Sequence, residues 1–494
     1  MKIAGLDIGS TGCKLTVFDS DGSCLGKAYR DYPVKRTKTA HEVEVQDIID
    51  SVFEVMEEMG RRHPDIAGIG VTSFGETFVL TDKAGCPLHT AMLYTDPRGA
   101  DECRALEEEL GSAEIAAVTG LKPHGMYSLP KIMWIKDHWP EVYRRAEHIL
   151  LMEDFVVFRL TGTAQIDYSL ATRTMAFDIN TLTWNRKILS AAGVDERLLS
   201  RPVPSGTAAG TLLPEAAKRT GLSTRLQVVS VSQDQVAGAV GAGVFDSGKA
   251  LECAGTVECL TPVYDGMPPL EAMHRGNYAV VPYVVPGKYV TYCFSYTGGA
   301  LIQWCADTLA KGEKELAARE GLSVHAYLER QAAEPTGLLV LPHFAGAATP
   351  YMDTGSKGAI IGMTTATTVA EIYRGCMEGI AYEMLLNMEY LRDTGVRFKK
   401  LQASGGGAAS SLWMQMKADV LNIPMTALHT ADSGTVGSAM ITGAAIGCFG
   451  SLQEAAAQMV REKETYYPDP RQHERYMEIY ERYRQLYAAL RPLV

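Results

Sequence analysis

Apolar and polar positions along this chain alternate between two periods. "KIAGLDI" (2–8) and "CKLTVFD" (13–19) are short apolar runs on either side of Gly9-Ser10-Thr11-Gly12, and they read as the two strands of a hairpin. Asp21-Gly22 supplies the next turn. "VQDIIDSVFEVMEEM" carries apolar residues at 45, 48, 49, 52, 55, 56 and 59, which predicts an amphipathic helix leading to the strand "IAGIGVTS". Pro214 and Gly221 bracket a short helix, and "QVVSVSQDQ" is a strand ending in polar residues. The run "ALECAGTVECLTPVYDG" (250–266) then repeats the opening: strand, Gly-Thr turn, strand, Asp-Gly. Helical patterns follow in "GGALIQWCADTLA" and "VAEIYRGCMEGIAYEMLLNMEYL". A last helix has Tyr476, Ile479, Tyr480, Tyr483, Leu486, Tyr487 and Leu490 on one face. The repeat predicts two similar α/β halves, 1–245 and 246–494, joined near the turn-forming "GVFDSGK".

Composition narrows this little but usefully. With 494 residues, 46% hydrophobic and 21% charged, the chain is a packed multi-domain protein. A net charge of −11 argues against a nucleic-acid or anionic-membrane partner. The ten cysteines are scattered without Cys-x-x-Cys spacing and read as reduced residues of a cytoplasmic protein. Asp7 interrupts the first apolar run, so no signal peptide is expected, and no apolar stretch is long enough to span a bilayer. The eleven histidines lack zinc-site spacing.

Four constellations carry candidate chemistry. The first is the opening turn. Small residues let backbone N–H groups approach phosphate oxygens, Ser10 and Thr11 add hydroxyls, Lys14 a point charge, and Asp7 an oxygen ligand for Mg²⁺. A plain hairpin with a solvated lysine is the alternative. The second is "GGG" (405–407) between a strand and a helix, a nucleotide turn or a simple connection. The third is Asp234 at a strand end, a general base or a helix N-cap. The fourth joins "SFGETF" to "YTDPRGAD": Glu76, Asp96 and Arg98 suit a polyhydroxylated ligand or loop salt bridges.

In this order the pieces resemble the FGGY carbohydrate kinases over nearly the whole chain. "MYSLPKIMWIKDH" matches one family signature through Met126, Ser128, Lys131, Ile132 and Trp134. "GAIIGMTTATTVAEIYRGCME" nearly matches the second; Gly362, Glu371 and Glu378 keep register, while Gly375 and Cys376 depart from it. The resemblance implies two actin-like (ribonuclease H-like) domains with a nucleotide and sugar cleft between them. It implies sugar binding, the first phosphate loop and the base in the first domain, and nucleotide binding in the second. By position it puts Ser10, Thr11, Lys14, Gly255, Thr256, Gly299, Gln303, Gly406 and Gly407 on ATP, and Asp7 near Mg²⁺. Asp234 becomes the base that accepts a proton from the attacking hydroxyl, with Gln235 beside it.

On the sugar side, Glu76 matches the Glu of an Arg-Glu pair in glycerol kinase, but Gly75 replaces the Arg. Met126 replaces a substrate-contacting tyrosine. The xylulokinase pattern "WNDxR" becomes "YTDPR", keeping Asp96 and Arg98, and "GERTP" becomes "GAATP". These changes predict a larger, less charged pocket, suited to a pentulose such as xylulose, with Glu76 and Asp96 on its hydroxyls. Ribulose, erythritol or a deoxy-hexulose are alternative acceptors, and a non-catalytic actin-like regulator is the reading from another class. A homodimer is compatible with the pattern.

Overall fold

The computed structural model describes residues 1–332, 335–430 and 432–493. Two mixed sheets organise it. The first takes β1 (Lys2–Ile8), β2 (Gly12–Phe18), β3 (Cys24–Asp31), β4 (Ile66–Ser73), β5 (Thr207–Thr211) and β6 (Gln227–Gln233), in the order β3-β2-β1-β4-β6-β5. The second takes β7 (Lys249–Ala254), β8 (Glu258–Asp265), β9 (Cys293–Ser295), β10 (Lys400–Ser404), β11 (Met425–Leu428) and β12 (Glu462–Tyr466). Its order, β9-β8-β7-β10-β11-β12, repeats the first; Val281–Pro282 and Lys288–Val290 extend it beside β8. In both sheets two antiparallel hairpin partners precede a parallel core of three strands, and an antiparallel strand closes the far edge. The repeat seen in the two hairpin sequences is therefore a repeat of topology.

The helices needed below are α1 (Val45–Arg62), α2 (Ser128–His138), α3 (Asp234–Gly241), α4 (Gly299–Thr308), α5 (Val369–Asp393), α6 (Ser411–Leu421), α7 (Ser433–Ala445) and α8 (Pro470–Tyr483). α1 buries Val45, Ile48, Ile49, Val52, Val55, Met56 and Met59, the stripe its periodicity predicts. Each such aliphatic side chain contributes roughly 1.5–3 kcal/mol on burial. The C-terminal helix differs from the sequence expectation. α8 stops at Tyr483, and a separate turn of helix, Leu486–Leu490, follows. Tyr476 accepts from Arg374, and Tyr480 and Tyr483 donate to Glu389 and Glu383 of α5. Tyr487 has a different anchor: it stacks on Tyr351 at 3.8 Å and donates to Asp353. A straight helix would not serve both sets of partners. Among the described residues, no helix is long and apolar enough to cross a membrane.

The two halves are joined where α3 crosses α7. Small residues permit a very close approach: a Cβ on Gly437 would lie 1.8 Å from the Ala237 carbonyl oxygen, and one on Gly241 1.9 Å from that of Ser433. α7 also lies on the first sheet, since a Cβ on Gly5 of β1 would meet the Thr435 carbonyl at 2.2 Å. Gly437→Ala is expected to destabilise the protein by at least about 1–3 kcal/mol in urea unfolding, the usual cost of overpacking. The control is Gly312→Ala, at a helical glycine with no atoms around its missing Cβ, which is expected to be neutral or stabilising.

Candidate active site

Three parallel strands of the first sheet end together. Asp7 of β1 pairs with Thr72 of β4, and Ser73 of β4 pairs with Gln233 of β6. Asp7, the loop carrying Gly75 and Glu76, and Asp234 therefore emerge side by side at the carboxyl ends of the strands, where α/β sheets present their ligands. Lys14 stands directly across the hairpin from Asp7. Gly9 N–H donates to the Gly12 carbonyl at 2.9 Å, which closes a tight turn with Ser10 and Thr11 at its tip. Gly12 is required there, because a Cβ would lie 2.7 Å from the Arg30 carbonyl oxygen. Lys14 Nζ reaches Asp432 Oδ2 at 2.9 Å, just before α7. Burial, then the Asp432 charge, pushes the Asp7 carboxyl up to about 6 against the pull of Lys14.

Asp234 is the first residue of α3, and the N-cap is Gln233 instead. Gln233 Oε1 accepts from Gln235 N–H at 3.0 Å. Asp234 Oδ1 accepts from that same N–H at 2.7 Å and from Gln233 Nε2 at 2.5 Å. Burial, then the Asp7 charge, pushes Asp234 up to about 7, with Glu76 raising it further and the Gln235 N–H and Arg173 opposing. A carboxyl near neutrality is matched to general-base work. The buried Oε1 of Gln235 has no hydrogen-bond partner among the described residues.

The remaining sugar-side residues are arranged differently from one another. Asp96 accepts from Arg98 Nε at 2.8 Å and Nη2 at 2.7 Å, and from the backbone N–H groups of Arg98 and His41. Arg98 also reaches Glu42 and lies over the rings of Trp134 and Trp139. Asp96 thus accepts four hydrogen bonds within the protein, and Arg98 spends its Nε and Nη2 on Asp96 and Glu42. Glu76 pairs instead with Arg173, whose Nε donates to its Oε1 at 2.5 Å. That guanidinium corrects the expectation of a less charged pocket. It arrives from 97 residues away, and no local pattern announces it.

The nucleotide residues expected in the second half converge on one cavity of about 790 Å³. Gly255, Thr256, Gly299, Gln303, Gly406 and Gly407 line it, together with Tyr373, Met377 and Trp413. The glycines allow close backbone contact. A Cβ on Gly405, at φ +89°, would sit 2.6 Å from the Ala254 carbonyl oxygen. At the start of α4, the N–H groups of Gly298, Gly299 and Ala300 already donate to the carbonyls of Gly255 and Thr256. Gly299 thus lets α4 start close against the 255–256 loop, where a Cβ would lie 2.6 Å from the Gly255 carbonyl oxygen, and it offers no free donor. The Gln303 side chain is held by Asp307 at 3.0 Å. Beneath the cavity, Lys417 of α6 bonds both Glu252 and Glu258, which flank the 255–256 loop on β7 and β8. Its Nζ lies 4.0 Å from the ring centroid of Trp413.

Comparison with known proteins names this architecture. The model of the N-terminal domain of the FGGY family of carbohydrate kinases matches residues 2–241, and that of its C-terminal domain residues 254–446. The chain belongs to the FGGY family of carbohydrate kinases. It is 27% identical to the xylulose kinase of Bacillus subtilis over 496 residues, covering 99% of this chain and 97% of that protein. It is 30% identical to the glycerol kinase of Halorhodospira halophila over 489 residues, with 96% and 93% covered. The xylulose kinase structure from Rhodospirillum rubrum superposes with a TM-score of 0.88 at 26% identity, over 100% and 99% of the two chains.

The kinase signatures now acquire physical roles. Lys131 is buried and donates to the carbonyls of Asp96, Arg98 and Gly125, which ties three loop positions to α2. Trp134 supplies the face under Arg98. In the second signature, Thr368 and Glu371 form a capping box that starts α5, and Tyr373 and Met377 of α5 reach the 790 Å³ cavity. Sequence reasoning missed Asp432, Arg173 and Lys417. For Lys417 a signal existed: a lysine set among Trp413, Met414, Met416, Val420 and Leu421 on a helix needs a buried partner. Lys417→Met is expected to cost about 3–5 kcal/mol in denaturant unfolding, because it strands two buried carboxyls. In kinetics, it should raise the nucleotide KM more than the acceptor KM.

Proposed function

We propose that this kinase phosphorylates a hydroxyl of a straight-chain ketose or polyol, a pentulose of the xylulose type, with ATP as donor and Asp234 as general base. One observation carries the reading. A carboxyl lifted to about 7 emerges from the same strand edge as Glu76 and Asp7, with the unpartnered Gln235 Oε1 next to it in sequence. Likeness to xylulose and glycerol kinases over almost the whole chain supports the acceptor class.

The residues suit the groups such a reaction needs. The apolar, glycine-walled cavity fits a nucleoside, and the 255–256 and 9–12 turns fit its phosphates. Burial, and then the neighbouring Asp432 charge, leaves Asp7 raised, and the two carboxylates together fit a cation. Among the described residues, no cluster of three or more ligands is built to hold a metal without other help. That suits Mg²⁺, which keeps waters and phosphate oxygens among its ligands. Asp7 would hold it, and it would neutralise charge on the transferring phosphoryl group. Lys14 would exchange its Asp432 partner for a phosphate oxygen. Asp234 would take the proton of the attacking hydroxyl, and Glu76 would orient the acceptor. Asp96 and Arg98 would act through the shape of the loop they lock. Catalysis of this kind is mostly positioning and electrostatics.

Asp234→Asn is expected to lower kcat by about 10²- to 10⁴-fold in an ADP-release assay while the protein stays folded. A wild-type rate in a folded Asp234→Asn protein would refute the base. The pH profile provides a second check. The base acts deprotonated, so kcat/KM for the acceptor should fall with decreasing pH below about 7. An acid limb near the ordinary aspartate value would contradict the reading.

A further inference from the structure

Gly75 and Arg173 fit together as a complementary pair. A Cβ on Gly75 would meet Arg173 Cγ at 3.1 Å and Nε at 3.5 Å, so the missing side chain at 75 is the space the arginine occupies. Arg173 is 7% and Glu76 5% exposed. Both recorded contacts between them fall on Glu76 Oε1, so Oε2 is the oxygen a ligand would meet. The guanidinium lies 5.1 Å from the ring centroid of Tyr127 and 5.6 Å from that of Tyr292, one aromatic from each half of the protein. The segment holding Arg173 is anchored to the strand that leads to Asp234, through Gln233 N–H to Ser169 Oγ at 2.9 Å. The Glu76 loop is anchored to α2 through Ser128 Oγ to the Glu76 carbonyl at 2.7 Å. Glu76 itself, at φ +65°, and Met175, at φ +64°, are in the left-handed region. Such strain persists only where the surroundings enforce it.

We infer that Arg173, seated in the space left by Gly75, is a specificity-determining residue of this kinase, forming with Glu76 a donor–acceptor fork that reads a vicinal diol of the acceptor. A planar guanidinium presents several donors in fixed geometry, and a carboxylate presents acceptors only. One diol hydroxyl would accept from Arg173 and the other would donate to Glu76 Oε2. The inference rests on the kinase reading above. The Arg173 charge also acts on Asp234, opposing the rise caused by burial and Asp7.

The test is an acceptor panel of glycerol, D-xylulose, D-ribulose, ribitol and D-gluconate with ATP and Mg²⁺, read by ADP release. Arg173→Ala should raise the KM of the best acceptor by about 10- to 100-fold, the equivalent of one charge-assisted hydrogen bond. The ATP KM should not change. Arg173→Lys should recover only part of the loss, because it lacks the fork. Gly75→Arg combined with Arg173→Ala, which supplies the guanidinium from the other side of the same space, should restore acceptor binding and alter the rank order of the panel. Removing Arg173 alone leaves a buried carboxylate, so Glu76→Gln/Arg173→Met serves as the variant without a stranded charge. It should fold and show the same acceptor defect. Unchanged acceptor KM values and rank order in a folded double variant would overturn the inference and leave the pair a packing element. If the wild-type protein turns over none of the panel, the kinase acceptor reading itself fails. The inference is then decided by thermal-shift stabilisation with the same compounds: stabilisation lost in Glu76→Gln/Arg173→Met upholds it, and stabilisation kept or absent throughout overturns it.

Discussion

The close crossing of α3 and α7 is the constraint on which the site depends. The two helices come from different halves, and their contact tolerates no side chain at Gly241 or Gly437. The contact sets the end of α3, at Gly241, against the start of α7, at Ser433, and Asp432 just before α7 reaches Lys14 beside Asp7 at the edge where β1 ends. A hydrophobic interface alone would leave their relative position loose. Backbone-to-backbone contact fixes it, since it cannot adjust by a change of rotamer.

The charge around that edge is unbalanced in a way that suits phosphoryl transfer. Asp7, Asp432, Asp234 and Glu76 face Lys14 and Arg173. Burial and mutual repulsion lift Asp7 and Asp234. The cations are held separately: Lys14 by Asp432 beside the 9–12 turn, and Arg173 by Glu76 on the loop after β4. Asp234, the proposed base, feels Asp7 on one side and Glu76 and Arg173 on the other. On the nucleotide side the logic is different. Lys417 is sealed under the 255–256 loop with two glutamates, and burial holds Glu258 well above its ordinary range despite the lysine. There the charge braces two strands.

The sequence made the local parts of this legible. The hairpin turn, the α1 stripe, the echo at 250–266 and the strand ahead of Asp234 are all short-range patterns, and the structure has them where periodicity predicts. The family resemblance brought in the cavity residues, which lie far apart in the chain yet line one wall. Partners brought together only by tertiary folding stayed hidden. Arg173 lies 97 residues from Glu76, and Lys417 lies 165 from Glu252. Gly75 looked like the loss of a charge, because a sequence cannot show that another residue fills the space. The bend between Tyr483 and Leu486 was hidden for the same reason: it answers to Tyr351 and Asp353, not to any local breaker.

The central claim is that the strand-edge carboxyls and the glycine-walled cavity act on one phosphoryl group. Phosphorus NMR of the wild-type protein with ATP, Mg²⁺ and D-xylulose tests it most directly. The account predicts a new phosphomonoester signal that grows in equal amount with ADP and is absent without the sugar. ADP accompanied only by inorganic phosphate, for D-xylulose and for every other ketose or polyol tried, would contradict it.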